Sequence, residues 1–96
     1  MERLNRFDIV THGDLAMVVV ESELLPPDPA VVVIPLLSDY PAVPMLNPLI
    51  RFEGREQVLA TRLIASVRRN SLRRAGSAAV QGDAITRAVD VLLGGV

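Results

Sequence analysis

The stretch Ala30-Val31-Val32-Val33-Ile34-Pro35-Leu36-Leu37 restricts the architecture of this chain more than any other. Its β-branched residues favour an extended backbone. An extended backbone sends successive side chains to opposite faces, and here every position is apolar. Such a strand needs cover on both sides, so it belongs at the centre of a sheet or wholly beneath other elements. Pro35 donates no backbone hydrogen bond, which places it at a bulge or near the strand's end. The run is also far shorter than the ~20 residues that span a bilayer.

The surrounding sequence supplies partners for that strand. Arg6–Val10 and Leu15–Ser22 flank Thr11-His12-Gly13-Asp14, where Gly13 can take the positive φ of a tight hairpin, so the two segments are expected to pair antiparallel. Leu24–Pro29 contains three prolines and interrupts regular structure. Ser38–Pro48 is expected to be loop for the same reason. Leu49–Val67 is expected to form a second hairpin that turns at Glu53-Gly54-Arg55. Arg68–Gly82 is polar and shows no clean period, which suggests a strand end and a loop.

A helix is expected to begin between Ala79 and Asp83, with Asp83 favoured near its positive end. Ile85, Ala88, Val89 and Leu92 recur at helical spacing and form an apolar stripe, while Thr86, Arg87 and Asp90 face outward. The stripe runs almost to the last residue, so the terminal carboxylate should lie close to a docked element. Strands followed by one helix argue an α+β, mainly β domain, with a small antiparallel barrel or sheet and a C-terminal helix, spanning residues 1–96 as one unit.

Half of the 96 residues are apolar but only 3% are aromatic, so the core must be built from Val, Leu, Ile and Ala. A base-stacking platform for single strands is not expected. All ten basic residues are arginine and face eleven acids, for a net charge of −1, so direct nucleic-acid binding is not expected either. The absence of cysteine excludes thiol catalysis, thiolate metal sites and disulfides. Residues 1–10 lack the apolar core of a secretory signal. The expectation is a cytoplasmic protein without membrane association.

Few residues suggest chemistry. His12 is best read as a solvent-facing turn residue, because no base or ligand partner lies near it. Glu21 and Glu23 share one side of an extended chain, yet lack a third group and read as solvated acids at a strand end. Ser71 and Ser77 have no base beside them. No nucleophile–base pair, phosphate loop or metal-ligand spacing is found, so catalytic residues, metal and cofactor are expected to be none. Arg68, Arg69, Arg73 and Arg74 form a basic cluster suited to a solvated loop or an acidic protein partner. Leu24-Leu25, Leu93 and Val96 remain as apolar residues without an obvious place inside; two neighbouring leucines on an extended chain cannot both point inward, and exposed apolar patches mark protein partners.

Taken together, Val18–Leu37, Leu46–Val67 and Ile85–Val96, in that order and with the Ile34-Pro35-Leu36 strand, resemble the CcdB family of toxins from toxin–antitoxin modules. The resemblance implies an SH3-like barrel with a C-terminal helix and a homodimer. It also implies a protein that is no enzyme but binds the A subunit of DNA gyrase, traps the cleaved DNA complex, and is removed by the disordered tail of a cognate antitoxin. Carried over by position, the gyrase-facing residues are Leu24, Leu25, Asp90, Leu93, Gly94, Gly95 and Val96. The antitoxin is expected on Arg68, Arg69, Arg73 and Arg74. The family's pattern ends in Trp-Gly-Ile with the tryptophan stacking on a gyrase arginine; Gly94 stands at that position and offers no ring. Asp90 stands where the family often has an uncharged amide.

Two alternatives accompany this reading. A MazF-like endoribonuclease, on a related barrel, needs an arginine and a hydroxyl at a cleft, for which Arg62 and Thr61 are the candidates. It fits the C-terminal pattern less well, and stacking aromatics are missing. The other is a CcdB-fold homologue with weak or lost gyrase binding.

Overall fold

The computed structural model describes residues 3–94. Strands β1 (Asp8–His12) and β2 (Leu15–Val19) form the expected hairpin, with Gly13 at φ +60°. Strand β3 (Ala30–Leu37) lies antiparallel to β2. Strands β4 (Leu49–Phe52) and β5 (Arg55–Leu59) form a second hairpin through Glu53 and Gly54, both at positive φ, as a turn matched to strand twist requires. Strands β6 (Ala65–Arg68) and β7 (Arg73–Ser77) precede helix α1 (Gly82–Leu92). The order is β4-β5-β3-β2-β1-β7, with β6 paired to the first half of β3. The seven antiparallel strands make a curled half-barrel with one C-terminal helix, consistent with an α+β, SH3-like fold.

Pro35 marks where β3 changes partner. Residues Ala30–Val33 pair with β6, and Leu36–Leu37 pair with β5. The Pro35 carbonyl accepts from Ala60 N at 2.9 Å. The N–H that proline lacks faces that same edge, so no donor is orphaned at the junction.

The register explains why an all-apolar strand fits here. Ile9↔Val18, Val18↔Ile34 and Ala16↔Leu36 lie on one face and join Ile50, Leu59, Ile85 and Ala88 in the larger core. Val10↔Met17 and Val19↔Val33 lie on the other face, where Val31 and Leu72 complete a second core edged by Leu4 and Val67. Strand β3 is therefore covered on both sides, as its composition demands.

Two expectations are corrected. The second hairpin does not run to Val67 but stops at Leu59. A short 3-10 helix, Thr61–Leu63, turns the chain so that β6 returns to β3 as a separate strand. Thr61 anchors this turn: it is fully buried, its N–H donates to Asn47 Oδ1, and its hydroxyl donates to the Leu46 carbonyl. The second correction concerns 68–82, expected as strand end and loop. Arg73–Ser77 is a strand paired with β1. Its Arg-Arg-Ala-Gly-Ser sequence has no apolar alternation, because the strand sits at the sheet's edge and is held by its backbone ladder rather than by buried side chains.

Helix α1 buries Ile85 and Ala88, with Val89 packed against the same core, and exposes Arg87 and Asp90. Thr86 is half-buried and its hydroxyl accepts from Arg6 Nη2 at 3.0 Å. Gln81, just before the helix, grips the outer edge of β4. Its amide nitrogen donates to the Leu49 carbonyl, and its amide oxygen accepts from Arg51 N. The side chain thus replaces a missing strand at that edge.

Candidate functional site

The β2–β3 connection carries the first pair of candidate residues. Ser22 starts a tight turn: its hydroxyl accepts from Leu24 N at 3.1 Å and its carbonyl from Leu25 N at 3.3 Å. Pro26, Pro27 and Pro29 then stiffen the path, and Asp28 Oδ2 receives Ala30 N at 2.9 Å to direct the chain into β3. The result is a shaped loop that holds Leu24 at 94% exposure and Leu25 at 55%. Neither leucine is lost into the core, so two adjacent large apolar side chains face solvent.

The second group lies past α1. Asp90 is on the exposed side of the helix, and Leu93 is 74% exposed. Gly94 adopts φ +81°, and its N–H donates to the Val91 carbonyl. A left-handed residue after the last helical turn is the usual glycine cap, so the backbone itself accounts for glycine at this position. Gly95, Val96 and the terminal carboxylate lie outside the described residues. Within one chain the two groups are separate exposures, one beyond β2 and one beyond α1.

The four arginines do not share a loop. Arg68 ends β6 and is exposed. Arg69 reaches back to Glu21 at 3.6 Å, and the pair is largely buried. Arg73 and Arg74 belong to β7, and Arg74 Nε lies 3.2 Å from Asp8 Oδ2. Asp8 is 3% exposed and also receives Asn5 N at 2.8 Å. Sequence reading passed over Asp8 and Asn47, both of which fix loops from buried positions; a polar residue at a strand end or between prolines gave no signal distinguishing it from a solvated one.

The remaining candidates have structural surroundings. Glu21 also accepts from Val32 N through Oε1 and so anchors the loop base. His12 Nδ1 lies 3.1 Å from the Ser71 carbonyl on an exposed edge. Thr61 is sealed from solvent beside an exposed Arg62, so the hydroxyl that a ribonuclease cleft would need is not at a surface. Among the described residues no three His, Asp or Glu side chains gather as metal ligands, and no helix is long and apolar enough to cross a membrane.

A curled antiparallel half-barrel packed under a C-terminal helix, with apolar side chains displayed on one loop and past the helix end, defines a small SH3-like domain of the α+β class. The family model described as CcdB protein matches residues 9–95, and the chain belongs to the CcdB family, toxins of toxin–antitoxin modules. No curated protein matches it at a significant level.

Proposed function

We propose that the protein is a toxin that binds the A subunit of DNA gyrase, traps the cleaved DNA complex without itself being an enzyme, and is neutralised by a cognate antitoxin in the cytoplasm. The observation that carries this reading is the display of Leu24, Leu25 and Leu93 at positions that the family resemblance assigns to the gyrase surface. Exposing such side chains forgoes about 1.5–3 kcal/mol of burial for each, an amount recovered on a partner. Asp90, Gly94, Gly95 and Val96 complete the proposed surface, formed from two copies of the chain in a homodimer. Of the four arginines expected to meet the antitoxin, Arg69 and Arg74 are engaged inside the chain, and the tail is proposed to lie across the surface that carries Arg68 and Arg73. Arg68 and Arg73 are the members without an ion pair inside the chain among the described residues, and so the ones free to meet its acids.

The test is accumulation of cleaved complexes by purified gyrase. Leu24→Ser with Leu25→Ser, and separately Leu93→Ser, should keep the melting temperature within a few degrees and abolish trapping. Trapping equal to wild type in both would remove the proposed surface. The second reading, a CcdB-fold protein with weakened gyrase binding, is favoured by Gly94, which provides no ring for stacking. It becomes the better account if the wild type binds gyrase without trapping it.

A further inference from the structure

The β2–β3 loop is exposed throughout, from Ser22 to Pro29. Hollows of about 330 and 280 Å³ lie against it and share Glu21, Leu25 and Pro26 in their walls. A segment lifted off the sheet in this way has little apolar packing to fix its course. Its base, however, is closed by a single residue from a distant part of the chain. Arg69 N donates to the Pro29 carbonyl at 2.7 Å, Arg69 Nε donates to the Asp28 carbonyl at 3.0 Å, and Nη2 faces Glu21 Oε2 at 3.6 Å. Glu21 at the loop's entry and Asp28 near its exit are thereby tied to one side chain, and Pro29 to the backbone of the same residue. Glu21 in turn takes Val32 N at 3.3 Å, which joins the loop's entry to β3 itself.

The side chains of Arg69 and Glu21 are only 10% and 15% exposed, so the pair is weakly screened, and removing one partner strands the other. A planar guanidinium is suited to this task because it presents separate donors to a carboxylate and a carbonyl at once. We propose that Arg69 and Glu21 form a clamp that fixes the path of the β2–β3 loop and so the display of Leu24 and Leu25. Arg69 is a positioning residue for that surface, and its charge is spent inside the chain instead of being offered to an acidic partner. The clamp stands on the geometry alone; its link to target binding rests on the gyrase reading.

The experiment compares the wild type with Arg69→Met, which keeps the apolar stem and the backbone bond to Pro29 but removes the side-chain donors, and Arg69→Lys, which keeps the charge but lacks the planar fork. Hydrogen exchange is followed residue by residue on the free protein. In Arg69→Met the amides of Leu24, Leu25, Ala30 and Val32 are expected to exchange roughly tenfold faster while those of β1 are unchanged, with Arg69→Lys intermediate. Trapping of gyrase should need roughly tenfold more Arg69→Met protein, because a loosened loop must be reordered on binding. Unchanged loop exchange in both variants overturns the clamp. Faster loop exchange with wild-type trapping overturns its link to the target. Failure of the wild type to trap gyrase counts against the proposed function, and the exchange comparison still decides the clamp. If Arg69→Met unfolds globally, Arg69→Lys decides it.

Discussion

At the scale of single residues, two glycines bracket α1 for different physical reasons. A Cβ at Gly82 would lie 2.8 Å from Phe7 Cε2. The ring has little room to yield, since Phe7 is held at φ +73°, packs on the larger core and lies under the Arg6 guanidinium at 4.8 Å. Alanine normally gains about 0.5–1 kcal/mol over glycine in a helix, but overpacking costs about 1–3 kcal/mol, so the clash wins. Gly82→Ala should therefore lower the melting temperature, and Phe7→Leu should reduce that loss in a double-mutant cycle; additive effects would dissociate the two residues. At Gly94 there is open space but φ is +81°. Gly94→Ala should cost roughly 1 kcal/mol, read as a fall of about 4–8 °C in melting temperature. Gly94→Trp carries the same backbone cost. Any gain in gyrase trapping, at most about tenfold from a restored cation–π contact, should thus come with a lower melting temperature. The glycine was visible in the sequence as a missing ring; its left-handed backbone was not, because that conformation depends on where the helix stops.

At the scale of elements, the parts that sequence made legible are those whose side chains report their surroundings. Strand β3 announced two covered faces, Gly13 and Gly54 announced their turns, and the stripe from Ile85 to Val89 announced which side of α1 is buried. Strand β7 was silent, since an edge strand of Arg, Ala, Gly and Ser has no buried pattern to display. The same silence hid the division of the arginines: proximity along the chain put Arg73 and Arg74 in one cluster, but neighbours on a strand point to opposite faces. Both are exposed, but Arg74 meets the buried carboxylate of Asp8, whereas Arg73 has no ion pair among the described residues. Arg74→Ala should accordingly destabilise by about 1–3 kcal/mol by leaving Asp8 with less compensation, and Arg73→Ala should stay within about 0.5 kcal/mol. Chemical denaturation of the two variants decides this, and equal losses would contradict the assignment. Against the antitoxin the order should reverse, with Arg73→Ala reducing the salt sensitivity of binding. The candidate surface was legible only as apolar residues lacking a place inside; the clamp that shapes its loop joins Glu21 to Arg69 and was invisible along the chain.

At the scale of the molecule, the question is whether a proposed homodimer is needed for folding or only for action. Both apolar cores close within a single chain, since Ile9, Ile34, Leu59 and Ile85 on one side and Val10, Val19, Val31 and Val33 on the other are each at most 2% exposed without a partner. The Cα radius of gyration, 12.3 Å, is what a compact chain of this length should have, about 12.5 Å. An obligate dimer would leave part of such a core open, with no stable folded monomer. Here the apolar material left outside, Leu24, Leu25, Leu63 and Leu93 among it, is scattered over loops and ends instead of being cut from a core. The expected behaviour is a dimer at micromolar concentration that separates on dilution into monomers retaining the native fold. Sedimentation equilibrium across a dilution series measures the association, and far-ultraviolet circular dichroism at the same concentrations measures the fold. Loss of the β signal in step with dissociation would show that association completes the core. A monomer at every concentration would leave the two-copy gyrase surface without its second half, and the target would then have to be met by one loop and one helix end alone.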